Sequence, residues 1–275
     1  MLADALPYLR CPHCSADLTL AGGTVRCPTG HSFDVARQGY VTLLTGAAGP
    51  GTGDSAEMVD ARVRFLAAGH YSPVAAALTA AAVPGDGAVL DLGAGTGYYL
   101  TAALDALPGR VGLALDLSRY ALRRAARAHP RVAAVGADTW RPLPVRTGSV
   151  GLVLNVFAPR NAAEIRRVLG ADGSLVVVTP TTGHLHELVD ALGLVAVDAD
   201  KDRRLADSLA GFVPAGGRRV EFTMRLDHAE VGTVVGMGPS ARHLGAEALA
   251  GRIAGLPERV EVTASVTVAA YRPQR

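Results

Sequence analysis

The chain has 275 residues, of which 49% are apolar, enough to bury one large core together with a small appended module. Its formal net charge is only +2, so the overall charge points to no nucleic-acid partner. No apolar run reaches the roughly 18 residues that would span a bilayer, and the first residues, MLADALPYLR, lack the pattern of a signal peptide. We therefore expect a cytoplasmic protein without a membrane partner.

The first predicted element is a metal-binding module at the N-terminus. All three cysteines lie there, and a histidine completes the pattern CPHC, twelve residues, CPTGH. Two close pairs in tight turns can converge on one tetrahedral ion, which predicts zinc held by Cys11, Cys14, Cys27 and His31. Four protein ligands close such a site, so the zinc is expected to be structural. The alternatives are His13 in place of His31, and disulfides, which the odd cysteine count disfavours.

A Gly-rich stretch, TGAAGPGTGD, follows the module and shows no apolar periodicity. We interpret it as a mobile linker, with the domain boundary near residue 50. The predicted organisation is a zinc-binding module at 1–45, a linker and helical connector at 46–85, and a cofactor domain at 86–275.

The cofactor domain alternates aliphatic runs with Ala- and Arg-rich helical stretches. The runs, in chain order, are AVLDLG, VGLALDL, RVAAVGAD, VGLVLNVF and SLVVVTP. Strand and helix alternating at this period predict an α/β fold, a doubly wound parallel sheet with helices on both faces. Ligands of such folds bind at the carboxyl ends of the strands, where the candidate site residues are therefore expected.

The loop after the first of these strands is DLGAGTG, in which Asp91 precedes Gly93, Gly95 and Gly97. Its glycines let the backbone approach a ligand closely as the chain turns into a helix. The spacing G-x-G-x-G differs from the dinucleotide fingerprint G-x-G-x-x-G. An acid beside the loop suits a cofactor that has a cationic amine rather than phosphates.

Two further acids follow the next two strands. Asp116 is placed where a carboxylate can accept hydrogen bonds from ribose hydroxyls, and Asp138 is placed for the amino group of adenine. Each acid alone could be a helix N-cap. Three acids at successive strand ends, with the glycine loop, predict S-adenosylmethionine as the cofactor.

The fourth strand leads into NVFAPR, at the edge where a substrate would meet the transferable methyl group. The amide of Asn155 could hydrogen-bond a nucleobase edge, and Phe157 could stack on a base. A structural cap is the alternative role for Asn155.

Together, these segments resemble one family, the 23S ribosomal RNA guanine-N1 methyltransferases, in particular the branch associated with resistance to macrolides such as tylosin. The resemblance covers nearly the whole chain. Besides the zinc pattern, it is carried by FDVARQGYVTLL, GDSAEMVDARVRFLAAGHYSPV, LNVFAPRNAAEIRRVL, VVVTPTTGHLHELVDALGL and VGMGPSARH. It implies a class I, Rossmann-like methyltransferase with a seven-stranded sheet and an N-terminal zinc-ribbon-like domain. The segment MGPSARH resembles the macrolide-resistance branch.

The resemblance also implies cofactor contacts from Tyr71, Gly95, Thr96 and His184. The full predicted cofactor-binding set is Tyr71, Asp91, Gly93, Gly95, Thr96, Gly97, Asp116, Asp138, Asn155 and His184. Candidate catalytic residues are Asn155, Phe157 and His184. The general base stays open among His184, His186 and Asp138, with the alternative that no base is needed.

The implied reaction is methylation of N1 of a guanine in a hairpin loop of 23S rRNA near the macrolide site, with guanine 748 as the expected target, by a homodimer that confers macrolide resistance. Two other functions stay open: a small-molecule methyltransferase with a zinc cap, and a non-catalytic RNA-binding protein. A basic run on one predicted helix is either an RNA contact or a solvated surface; it comprises Arg119, Arg123, Arg124, Arg127 and Arg131.

Overall fold

The computed structural model describes residues 1–46, 53–83, 85–194, 205, 207–238 and 246–274. The middle of the Gly-rich segment, with the predicted boundary near residue 50, lies outside these residues. So does PSARH, the end of the segment that resembles the macrolide-resistance branch.

The N-terminal module contains little regular structure. Helix α1 (Leu2–Ala5) and a single 3-10 turn (Leu6–Tyr8) precede a small antiparallel sheet. Its strands are β1 (Thr19–Ala21), β2 (Thr24–Arg26) and β3 (Ser32–Asp34), in the order β1-β2-β3. Such short strands bury few side chains, so the module depends on other interactions for its stability.

The rest of the chain builds one large sheet with flanking helices. The strands are β4 (Val41–Thr42), β5 (Ala88–Leu92), β6 (Gly112–Asp116), β7 (Val132–Gly136), β8 (Val150–Val156), β9 (Leu169–Pro180), β10 (Phe212–Asp227) and β11 (Arg259–Pro273). The helices are α2 (Ala56–Ala67), α3 (Ser72–Ala81), α4 (Tyr98–Ala106), α5 (Arg119–Ala125), α6 (Ala162–Val168), α7 (His186–Leu192), α8 (His228–Gly236) and α9 (Ala246–Ala254).

The strand order in the large sheet is β10-β11-β9-β8-β5-β6-β7-β4. Strands β5 to β9 are parallel to one another, whereas β11 runs antiparallel to both β9 and β10. Every residue of β5, β7 and β8 is buried, as expected for strands covered on both faces. The predicted α/β fold is confirmed, including the seven strands β5 to β11.

The structure adds an eighth strand that the sequence did not predict. Strand β4 pairs in parallel with β7, with Val41 opposite Val135, although it immediately follows the small sheet. The region predicted as the zinc-binding module therefore contributes to the edge of the large sheet.

The order reversal of the sheet lies between β5 and β8, since β6 and β7 are on one side of β5 and β8 and β9 are on the other. A ligand crevice forms at such a point, outside the carboxyl ends of the strands. Within the described part of the chain, no helix is long and apolar enough to cross a membrane.

Candidate active site and metal centre

A cavity of about 870 Å³ opens at the carboxyl ends of β5 to β9. The structure brings most of the predicted site residues to its wall: Tyr71, Asp91, Gly93, Gly95, Thr96, Asp116, Asp138, Phe157 and His184. Its size is in the range of sites for drug-sized ligands and cofactors.

The glycine loop is shaped by close approach to neighbouring side chains and by left-handed conformations. Gly93 has φ +70°, and a Cβ there would lie 2.8 Å from the Cβ of Ala158. The N–H of Gly95 donates to Oδ2 of Asp116 at 2.8 Å, and the N–H of Ser118 donates to Oδ1 at 2.7 Å. These bonds fix the carboxylate of Asp116 at the floor of the cavity.

Gly97 does not line the cavity. It has φ +81° and is the N-cap of α4, where its left-handed conformation ends the loop. Gly97 therefore forms the turn into α4, and its contact with the cofactor stays a prediction.

Asp91 is buried at the end of β5, with only 2% of its surface exposed. Burial, with the charge of Asp116 adding to it, raises the pKa of Asp91 to about 8. A carboxyl in this state binds a proton at neutral pH and becomes ionised when a cation lies beside it. The site therefore suits the amino end of S-adenosylmethionine.

Tyr71 and His184 form a hydrogen-bonded pair on the cavity wall. The hydroxyl of Tyr71 lies 3.1 Å from Nε2 of His184, and the backbone N–H of Ser265 donates to Nδ1 of the same imidazole at 3.1 Å. Because a backbone N–H only donates, Nδ1 must carry the lone pair. A neutral His184 therefore has its proton on Nε2 and donates to Tyr71.

The loop after β8 is held from inside by Asn155. This residue is fully buried, and its amide Nδ2 donates to the carbonyl of Pro159 at 2.8 Å. Its Oδ1 accepts from a terminal nitrogen of Arg160 at 3.4 Å. Asn155 does not line the cavity, so the geometry supports the structural alternative over a contact with the cofactor or a base.

Phe157 stands at the mouth of the cavity, with 42% of its surface exposed. Its φ of +53° is unusual for a residue other than glycine, and such strain persists only where surrounding contacts impose it. The ring centroid lies 6.0 Å from that of His184 and 6.3 Å from that of Tyr71. An exposed aromatic face is thus fixed next to the cavity.

Two other wall residues, Trp140 and Arg62, had no role predicted from the sequence. Trp140 is 66% exposed, and its carbonyl accepts from Nδ2 of Asn161 at 3.3 Å, which ties it to the loop of Phe157. Arg62 forms an ion pair with Asp54 and donates to the carbonyl of Met237 at 2.9 Å. Trp140 is the only tryptophan of the chain and follows a strand end, and this sequence signal could have identified it as a site residue. No sequence signal pointed to Arg62.

The four predicted metal ligands converge. Their ligand atoms all lie within 4.8 Å of one another. Nδ1 of His31 is 3.3 Å from Sγ of Cys27 and 3.6 Å from Sγ of Cys11, and Sγ of Cys14 is 3.6 Å from Sγ of Cys27. Ligands about 2.0–2.3 Å from a tetrahedral zinc lie at similar separations, so the set fits a closed structural zinc site.

Neighbouring groups favour the thiolate form of Cys27, whereas burial raises the pKa of Cys11. Burial raises the pKa of Cys27, but hydrogen bonds with Thr29 and His31 outweigh it and bring the pKa to about 5. His13 instead stacks on His31, with 4.8 Å between ring centroids. It is not part of the converging cluster, which answers the alternative left open by the sequence.

The metal centre is attached directly to the large domain. Leu9 forms an isolated bridge with Val145, and Nε of Arg146 donates to the carbonyl of Leu9 at 3.2 Å. A terminal nitrogen of Arg146 also binds Asp17 at 2.6 Å. These contacts set the orientation of the module.

The basic run divides into members with different roles. Arg131 donates to the carbonyls of Leu104, Leu107 and Arg110, so it caps the end of α4. Arg124 pairs with Asp60 on α2 at 2.8 Å. At least these two arginines therefore stabilise the fold.

The chain is similar to a zinc-ribbon family in its N-terminal part and to two rRNA methyltransferases over nearly its full length. Residues 9–46 match the RlmA N-terminal zinc-ribbon family. The chain is 55% identical to a protein of Micromonospora griseorubida provisionally named a 23S rRNA (guanine-N(1)-)-methyltransferase, covering 99% of this chain and 100% of the relative. It is 50% identical to the 23S rRNA (guanine(748)-N(1))-methyltransferase of Streptomyces fradiae, covering 99% of each chain.

Among solved structures, a provisionally assigned methyltransferase of Bacillus halodurans C-125 has a TM-score of 0.53 at 17% identity, covering 74% of this chain and 100% of that chain. This likeness shows that the chain has a methyltransferase-type α/β fold, with the cavity at the carboxyl ends of its strands. The full-length identities then decide the family: the chain belongs to the 23S rRNA (guanine-N1)-methyltransferases.

Proposed function

We propose that the protein transfers the methyl group of S-adenosylmethionine to N1 of a guanine in a hairpin loop of 23S rRNA, at the position equivalent to guanine 748. The Streptomyces fradiae relative is named for that nucleotide. The observation that carries the proposal is the cavity itself, because it combines three acids at strand ends with two exposed aromatic rings at its mouth. Macrolide resistance would follow from modification at that site.

The cofactor occupies the half of the cavity formed by the ends of β5, β6 and β7. Asp91 accepts from the amine, the backbone of Gly93 and Gly95 passes close to the amino-acid end, and Asp116 accepts from the ribose hydroxyls. Asp138 faces the adenine amino group. When bound, S-adenosylmethionine supplies a methyl group on a positively charged sulfur.

The target base occupies the other half, beside the loop after β8. Phe157 and Trp140 offer exposed faces on which a splayed base can stack, as RNA-modifying enzymes require. Tyr71 and His184 close the wall between the two halves, and water exclusion and alignment supply much of the acceleration. The N1 proton passes to water.

The wider assembly follows from the same proposal. We assign residues 1–45 to a zinc module that rims the RNA site, 46–85 to the connector and 86–275 to the methyltransferase domain. A ribosomal substrate places the reaction in the cytoplasm. A homodimer would provide a wider RNA cleft than one protomer, and light scattering coupled to gel filtration tests it: a monomer at assay concentration contradicts it.

The function is tested with labelled S-adenosylmethionine and an unmodified 23S rRNA hairpin, with primer extension to locate the modified base. We expect a strong stop at one guanine. Gly93→Ala should abolish it, since the added Cβ would collide with Ala158. Zinc-loaded, cofactor-binding protein that labels no RNA would refute the proposal and favour a small-molecule acceptor.

A further inference from the structure

Arg160 places a partly buried guanidinium on the cavity wall. Some of its N–H donors make no hydrogen bond to the described residues. Its Nε donates to Oγ of Ser208 at 3.1 Å, and one terminal nitrogen donates to Oδ1 of Asn155 at 3.4 Å. Among the described residues, no ion pair includes Arg160, and its second terminal nitrogen has no hydrogen-bond partner. Burial lowers the pKa of Arg160, with Tyr271 opposing the effect.

Arg62 also lies on the cavity wall, but unlike Arg160 it has an ion-pair partner. Arg62 is neutralised by Asp54 and donates to the carbonyl of Met237. An incompletely solvated charge is costly unless it is paired, so a guanidinium that has no ion-pair partner among the described residues and lies beside a ligand cavity suggests that the ligand completes it.

The position of Arg160 indicates which ligand that is. The three acids of the cofactor half lie at the ends of β5, β6 and near β7, on one side of the strand-order reversal. Arg160 lies on the other side, in the loop after β8 that carries Phe157. It is therefore on the side of the acceptor base.

We infer that Arg160 donates hydrogen bonds to O6 of the target guanine and stabilises the negative charge that O6 takes up as N1 loses its proton. The inference rests on the proposed function and names a residue that recognises its substrate. The acceptor edge of guanine matches the two-donor geometry of an arginine. Adenine presents an amino donor at the same position, so Arg160 also discriminates against it.

Methylation of N1 requires two bonds to break, the N1–H bond of guanine and the C–S bond of the cofactor. The N1–H bond breaks and its proton goes to water, leaving charge shared between N1 and O6. The N1 lone pair forms the new N–C bond, the C–S bond breaks, and its electron pair stays on sulfur, which becomes neutral. The anion exists only during this sequence, so the part of Arg160's contribution that comes from stabilising it belongs to the chemical step.

The experiment measures single-turnover methyl transfer to the 23S rRNA hairpin between pH 6 and 9. The variants are Arg160→Gln, Arg160→Lys and, as a charge-matched control, Arg225→Gln on the exposed side of β10. We expect Arg160→Gln to be slower by roughly 100-fold at pH 7, as for removal of an oxyanion donor. The deficit should shrink as pH rises, because the base then loses its proton without help. Cofactor Kd should stay within about twofold, since the residue contacts the base.

Arg160→Lys is the control for disruption of the loop after β8, because it keeps the positive charge but lacks the two-donor geometry of the guanidinium. Its rate profile should keep the wild-type pH midpoint at a reduced maximum. An Arg160→Gln deficit that is the same at every pH, an unchanged rate, or a weakened cofactor Kd would each overturn the inference. Wild-type protein that methylates no RNA would instead refute the proposed function.

Discussion

At the scale of single residues, Asp91 links cofactor binding to pH. Its raised pKa means that the cofactor-free protein holds a proton there below about pH 8. A bound amine would require the carboxylate, so we expect cofactor affinity to rise from pH 6 to about pH 8 and then level off. Titration calorimetry in buffers of different ionisation enthalpy should detect proton release below pH 8.

Replacement of Asp91 gives a second measurement of the same coupling. Asp91→Asn should weaken cofactor binding by roughly 10- to 100-fold, the value of a hydrogen bond to a charged group. Because a raised acid pKa makes the folded state lose stability as pH rises from about 4 to 8, the cofactor-free variant should show a flatter stability profile there. Asp86→Asn, at an exposed acid near the same strand, is the control. Equal profiles for the two variants would contradict the assignment.

The tautomer of His184 predicts that it is not the general base. Nδ1 accepts a hydrogen bond from the N–H of Ser265, and the N–H at Nε2 donates a hydrogen bond to Tyr71. His184→Gln can still donate to Tyr71, so we expect a reduction in kcat/KM of no more than about tenfold. The pH dependence between 6 and 8 should be retained. Its disappearance in the variant would show that the imidazole accepts the proton.

His186 and Asp138, the other candidates for the general base, are also poorly placed to accept the N1 proton. His186 is not part of the cavity wall, and one oxygen of Asp138 accepts from the N–H of Trp140 at 2.9 Å while the other faces Arg141. Transfer of the N1 proton to water is consistent with these contacts.

At the scale of elements, the sequence indicated the buried strands well. Five aliphatic runs predicted β5 to β9, and the acids and glycines at the ends of the first three predicted the edge where the site lies. It could not predict β4, because two residues carry no periodicity and their partner β7 is some ninety residues away. It also could not decide the role of Asn155, whose amide is used inside its own loop. Such choices depend on tertiary contacts.

The pairing of β4 is testable at Gly136. A Cβ there would lie 3.0 Å from Oγ1 and 3.2 Å from Cα of Thr42, so Gly136→Ala requires Thr42 in the edge strand to shift by a few tenths of an ångström. We expect a loss of about 1–3 kcal/mol in the free energy of unfolding, as for other overpacked sites. Gly251→Ala in α9, where the new methyl group has open space, should be neutral or slightly stabilising. Urea unfolding measures both, and equal stability of the two variants would argue against the pairing.

At the scale of the whole molecule, the metal centre and the large domain share one apolar core. Leu9, Cys11 and Val25 pack in the same buried cluster as Leu113 and Val135 of β6 and β7. The cysteine spacing predicted the ligands but not this connection, because nothing in the local pattern shows which surface the module covers. The two parts should consequently not unfold independently.

Zinc removal tests this coupling. Chelation, or Cys14→Ser at an exposed ligand, should lower the Tm of the entire chain by roughly 10 °C, because the binding free energy of a structural zinc is part of the folding free energy. Calorimetry should show one transition at the lower temperature, and tryptophan fluorescence from Trp140 should follow the same curve. Cofactor, which binds the large domain, should then restore part of the lost Tm by linkage. Two separate transitions, with the main one at the original temperature, would mean that the module is an independent cap; it would then affect RNA methylation only by contacting the substrate.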